Sequence, residues 1–264
     1  MALANVAVQI ARKGRDVLMV DWDLEAPGLD RYFLTLDARK HSKITIQAAI
    51  DRTGLMGLLH EAFTRGDAAP KREVWQPKTI RVGYPRTDST SDSETLRAPG
   101  RLDLLPSGHG SEDYAEKQAS FSWSGFFADA RGGEWLEGLR DQWAAEYDFI
   151  FIDSRTGLTD SGGVCTIQMP DILVLVFTAN DQSLEGGLKV VAAAQRARSV
   201  FGYDRGPLSV VPILSRWEGE NEVDIGDHWM QRFDKELVPL TASWLPKEFS
   251  PRQFESFLKV VLKL

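Results

Sequence analysis

Acidic residues close two apolar runs of this chain. Asp16-Val17-Leu18-Met19-Val20-Asp21 continues into Trp22-Asp23-Leu24-Glu25-Ala26-Pro27-Gly28-Leu29, and Asp148-Phe149-Ile150-Phe151-Ile152-Asp153 into Ser154-Arg155-Thr156-Gly157. Two more runs, 171–177 and 208–214, are followed by Thr178-Ala179-Asn180-Asp181 and by Ser215-Arg216-Trp217. Apolar runs without alternation suit strands buried on both faces, as in a parallel sheet. In open α/β sheets, ligands bind in the crevice beyond the C-terminal strand ends. The residues at these ends suit a magnesium-bound polyphosphate. Carboxylates hold the ion through water, loop N–H groups face phosphate oxygens, and amide or guanidinium groups meet a base. A single acid at a strand end is more often a solvated loop residue. Four such ends together weaken that bland explanation.

A sheet must position these ends. Through the second half, strands at 148–153, 171–177 and 208–214 alternate with helices at 183–201 and 223–237, and 158–169 reads as loop and helix. This alternation predicts an α/β fold of three layers, a mainly parallel sheet with helices on both faces. Earlier, 54–66 is an amphipathic helix carrying Leu55, Leu58, Leu59, Ala62 and Phe63, 101–105 is a strand, and 123–130 and 134–146 are helices. Residues 67–100 are polar, hold four prolines and include the run Thr87-Asp88-Ser89-Thr90-Ser91-Asp92-Ser93. They read as a flexible insertion in a single domain spanning 1–264. At the start, Leu3, Val6, Ala7 and Ile10 fall at helical spacing, and Gly14 ends the helix just before the first strand. A helix covering a parallel sheet is normally preceded by a strand of its own βαβ unit. The sheet is therefore expected to lack its first strand in this chain.

Composition limits the function classes. The 264 residues are 43% hydrophobic and 10% aromatic, enough for a sizeable core. A net charge of −7 offers no basic footprint for nucleic acid, so no nucleic-acid partner is expected. No apolar run approaches the ~18 residues of a membrane span, and the first residues lack a signal-peptide pattern. One cysteine, Cys165, rules out an intrachain disulfide and a Cys-based zinc cluster and reads as a small buried residue. A soluble, cytoplasmic protein is the expected class. His41, His60, His109 and His228 share no metal-ligand spacing. The eight tryptophans read as core or interface, with Trp22 set apart because it lies between two candidate site acids.

Val20-Asp21-Trp22-Asp23 followed by Pro27-Gly28-Leu29 resembles the segment after the first helix of the ParA/MinD-type ATPases, the deviant Walker A group of P-loop NTPases. Tyr147 to Gly157 is similar to that family's Walker B strand and switch loop, in which an Asp is followed four residues later by a Gly. Met1-Ala2-Leu3-Ala4-Asn5-Val6-Ala7 resembles the start of the helix fed by the phosphate loop. The Asp-Trp-Asp and Asp-Ser-Arg-Thr-Gly variants are most similar to a bacterial branch whose loop reads Lys-Gly-Gly-Val-Gly-Arg. The resemblance implies that Asp23 orients the attacking water, Asp153 holds magnesium through water and Asp21 stands one layer further out. It implies that the Gly157 N–H meets the γ-phosphate, that Arg155 and Thr156 belong to a moving switch, and that Asn180 and Arg216 approach the base. It further implies ATP with Mg2+, hydrolysis to ADP and phosphate, and a homodimer formed around nucleotide that switches a protein partner. Phosphoryl transfer needs mainly positioning and charge neutralisation, so this small set is chemically sufficient once the phosphates are cradled.

The cradle is not written in these residues. Neither Gly-x-x-x-x-Gly-Lys-Ser/Thr nor Gly-x-Gly-x-x-Gly occurs, and the double glycines at 132–133, 162–163 and 186–187 lack the lysine and the strand–helix setting. In the family the loop lies just upstream of the residue matching Met1. The expectation is a chain that begins past its phosphate loop, with hydrolysis absent or weak in this form. The alternative is a nucleotide-free adaptor that keeps the ATPase fold as a docking surface. A ligase on the same scaffold would need an acid-binding pocket that the sequence does not reveal. Ser250-Pro251-Arg252-Gln253 opens a capping-box helix whose Phe254, Phe257, Leu258, Val261 and Leu262 form an apolar face beside Lys259 and Lys263. Docking on the domain is its ordinary role, and membrane contact through 250–264 is the less favoured one.

Overall fold

A computed structural model describes residues 2–33, 54–66, 70–84, 98–128, 131–155, 163–200, 205–216, 223–241 and 244. By their contacts the residues divide into two compact units, Met1–Thr156 and Gly157–Leu264, where the sequence reads as one domain.

In the first unit, α1 (Ala2–Arg12) turns at Gly14, whose φ of 79° suits a residue without a side chain, and enters β1 (Val17–Asp21). β1 runs parallel to β3 (Leu102–Leu105) on one side and to β4 (Phe149–Asp153) on the other. All five of its residues are buried, as a central strand covered on both faces requires. The α1 face is built from Ala4, Ala7 and Ala11 against Val17, Met19, Leu102 and Leu104. The small alanines let the helix lie close to the sheet. Asp103, between Leu102 and Leu104, turns to the opposite face and accepts a 2.9 Å hydrogen bond from the Tyr147 hydroxyl. Tyr147 follows α6 (Gly132–Glu146), which packs beside β4 and buries Trp135, Leu136, Leu139 and Trp143. Two faces of one sheet thus carry helices, and the layered α/β expectation holds.

The expected insertion at 67–100 is described at 70–84 and 98–100. Within it lie α3 (Arg72–Trp75), a 3-10 turn at Gln76–Lys78 and β2 (Ile80–Arg81), which pairs antiparallel with β3 to give the order β2-β3-β1-β4. Trp75 is fully buried, meets Trp143 edge-on and donates its indole N–H to Gln142 Oε1 at 3.0 Å. Pro77 stands in the first turn of the 3-10 helix among these short elements. Residues 85–97 lie outside the described residues. Between β2 and α6 the unit also holds α4 (Tyr114–Ser120) and α5 (Trp123–Ala128), and before them α2 (Gly54–Arg65).

In the second unit β5 (Ile172–Phe177) runs parallel to β6 (Ser209–Leu214). Helices α7 (Asp181–Ser199) and α8 (Val223–Thr241) supply Leu184, Phe233 and Leu237 to a core shared with Phe177 and Leu214. Of the stretch 158–169, expected as loop and helix, the described residues 163–169 hold a π-helical turn at Val164–Gln168 with Cys165 buried in it. The helix expected at 223–237 runs on to Thr241 with Pro239 inside. No helix among the described residues is long and apolar enough to cross a membrane.

Candidate functional site

The parallel pairing of β1 and β4 fixes the site. Their register sets Asp21 opposite Asp153, and Trp22 N–H extends the ladder by donating to Asp153 O at 2.8 Å. Asp21 is 1% exposed, and its Oδ2 accepts from Gly28 N at 3.1 Å and Leu29 N at 3.2 Å. That folds the loop after β1 back over the strand end. Its other oxygen, Oδ1, is buried without a hydrogen-bond partner. Burial pushes the Asp21 carboxyl up to about 6; the two N–H groups oppose this, and the Asp153 and Asp30 charges add to it. Burial raises Asp153 as well, with help from the Asp23 charge. Asp23 is half-buried, and its Oδ1 accepts from Ala26 N at 3.0 Å in a tight turn around Leu24.

Asp21, Asp23 and Asp153 line one pocket of about 490 Å³, together with Ala26, Pro27, Gly28, Leu29, Arg31 and Tyr32. Among the described residues no three His, Cys, Asp or Glu side chains converge as a direct metal cage. The donor set fits a cation held at longer range. A buried carboxylate oxygen without a donor, beside two more acids at one rim, suits a magnesium ion bound through its water shell.

Arg155, Asn180 and Arg216 are the other predicted residues that the structure describes. Arg155 is exposed and pairs with Glu25, tying the loop after β4 to the loop after β1. Thr156 and Gly157 lie outside the described residues, as does 250–264. Asn180 and Arg216 belong to the second unit. Asn180 is the N-cap of α7: its Oδ1 accepts from Ser183 N at 2.8 Å and its Nδ2 donates to Thr178 Oγ1 at 2.6 Å. Both ends of the amide assigned to a base are engaged in a cap. Arg216 is exposed just past β6 at φ 55°. Trp22, singled out between two acids, is 1% exposed and is a core residue.

Sequence reasoning missed Arg31 and Tyr32, which line the pocket and could have been found by counting on from Gly28. It also missed Tyr114 and Gln118 of α4, which donate to the Leu24 carbonyl at 2.6 and 2.7 Å. No spacing signals those two.

No family model matches the chain, and no curated protein matches it. Solved structures do. A plasmid partition protein from Borrelia burgdorferi B31 bound to AMPPNP aligns over 99% of this chain and 91% of its own, at 15% identity and a TM-score of 0.54. A second plasmid partition structure from Borrelia burgdorferi aligns over 99% and 91%, at 16% identity and a TM-score of 0.53. Apo McdA from Cyanthece aligns over 99% and 85%, at 14% identity and a TM-score of 0.51. With that agreement over nearly the whole length, added to acid-tipped parallel strands under a covering first helix, the fold of this chain is that of the ParA/MinD-type ATPases.

Proposed function

We propose that the Asp21–Asp23–Asp153 pocket takes a magnesium–nucleoside triphosphate complex and that the chain works as a ParA/MinD-like nucleotide-dependent switch. The observation that carries this reading is the convergence of three carboxylates from two adjacent strand ends on one pocket, one of them with a buried oxygen that lacks a donor. The AMPPNP bound to the Borrelia burgdorferi partition protein of the same fold supports the choice of ligand. Asp153 would hold the ion through water with Asp21 one layer further out, and Asp23 would accept a hydrogen bond from the attacking water. Magnesium supplies neutralisation of the charge that gathers on the phosphates. A nucleotide-assembled homodimer that changes its grip on a protein partner follows from the same reading.

Calorimetric titration with Mg-ATP tests it. Binding by the native chain that Asp153→Asn weakens at least about tenfold is the expected result. Equal binding by the native and Asp153→Asn chains sinks the proposal. A complete lack of binding favours the second reading, a nucleotide-free adaptor that keeps the same fold.

A further inference from the structure

The loop that carries Asp23 is held from outside at two places. The first is the carbonyl of Leu24, the residue after Asp23, which accepts from Tyr114 Oη at 2.6 Å and from Gln118 Nε2 at 2.7 Å. Tyr114 and Gln118 stand one helical turn apart on α4 and so share a face. The second hold is Asp30, 6% exposed, with Oδ1 lacking a partner and Oδ2 3.8 Å from His109 Nε2. A buried hydroxyl sits beside the second hold. Ser107 Oγ, fully buried, lies 3.1 Å from His109 Nδ1 and accepts from His109 N at 3.3 Å.

The position of these bonds matters more than their number. Asp23 Oδ1 is fixed by the Ala26 N–H, and the turn closed by that bond encloses Leu24. Whatever holds the Leu24 carbonyl therefore holds the turn and, with it, the direction of the Asp23 carboxylate. Tyr114 and Gln118 are not among the pocket's lining residues. Burial, and then the Asp21 and Asp23 charges, push the Tyr114 hydroxyl up to about 12, so it remains a donor throughout the working pH range.

We infer that Tyr114 and Gln118 are positioning residues that set the Asp23 carboxylate against Asp21 and Asp153. The catalytic consequence rests on reading the pocket as a magnesium–nucleotide site. The geometric claim does not.

Tyr114→Phe keeps the ring and removes the hydroxyl, and Gln118→Leu removes the other donor. Amide hydrogen exchange of the full chain, free and with Mg-ATP, reads both variants and the double variant. The Ala26 amide should exchange at least about tenfold faster in the double variant, with the β1 amides of Leu18 and Val20 unchanged. Where the native chain hydrolyses ATP, kcat should fall while KM holds. An unchanged Ala26 amide overturns the inference, and so does a uniform acceleration that includes Leu18 and Val20, which marks a merely structural role. A native chain without turnover whose Ala26 amide is nevertheless released by the variants removes the ATPase reading and leaves the positioning role standing. Gln118→Leu alone provides the same readout should the double variant fold poorly.

Discussion

Asp21 and Asp153 stand in register on neighbouring parallel strands, so that two carboxylates share the rim of one sheet. Such a pair is unfavourable while both are charged and empty-handed. Burial and this neighbour keep the Asp21 carboxyl near 6 in the folded chain, against about 4 in an unfolded one. Between those values the folded chain binds more protons than the unfolded chain. The contribution of Asp21 to stability is therefore full below pH ~4 and is lost as pH rises through ~6, a difference on the order of 3 kcal/mol. Asp153, also raised, acts in the same direction. Urea unfolding at pH 4.5 and 7.5 should show Asp21→Asn losing most of this pH dependence. Parallel profiles for the two chains would contradict the assignment.

Trp75 tests whether residues 70–84 belong to the core. The indole is fully buried, packs edge-on against Trp143 and donates to Gln142. Trp75→Ala should cost about 3–5 kcal/mol in chemical denaturation. A loss under 1 kcal/mol would return the segment to the status of a loose insertion.

Some of this molecule is legible without coordinates. The acid-tipped runs ending at Asp21 and Asp153 announce themselves because an unbroken apolar run closed by an acid suits a sheet strand that ends at a polar rim. β2 is not legible. Ile80 and Arg81 are too few to display alternation, and they sit among prolines that suggest a loop. The hold on Leu24 is hidden for a different reason: its donors lie 90 and 94 residues away and meet a backbone carbonyl that any residue type would present. Asn180 carries an ambiguity of its own. An amide just past a strand end can meet a base or cap the next helix, and sequence alone does not separate the two.

Gly54 governs how α2 seats on the loop that carries Ser107 and His109. Its φ is +50°, and a Cβ there would lie 2.4 Å from Pro106 O and 2.5 Å from Gly108 N. The next two amides, Leu55 and Met56, donate to Pro106 O at 2.8 Å and Ser107 O at 2.9 Å. Neither side can retreat without breaking these bonds. Gly54→Ala should destabilise the first unit by about 2–4 kcal/mol and broaden the His109 ring resonances. A thermal midpoint within 2 °C of the native value, on the order of half a kcal/mol, would show that the contact yields.

Asn180 separates capping from ligand contact. Its Oδ1 receives the Ser183 N–H, and Ser183 Oγ in turn accepts from Thr178 N at 3.0 Å, a reciprocal arrangement that closes the start of α7. Asn180→Ala should cost about 1 kcal/mol of stability. Asn180→Asp keeps an oxygen acceptor for the Ser183 N–H and should retain most of that stability, with the negative charge favoured at a helix start. Both variants should titrate with Mg-ATP like the native chain, because both ends of the native amide are already engaged within the cap. A base-contacting amide behaves differently. Aspartate cannot replace its N–H donor, so both variants would then bind at least about tenfold more weakly while only the alanine variant lost stability.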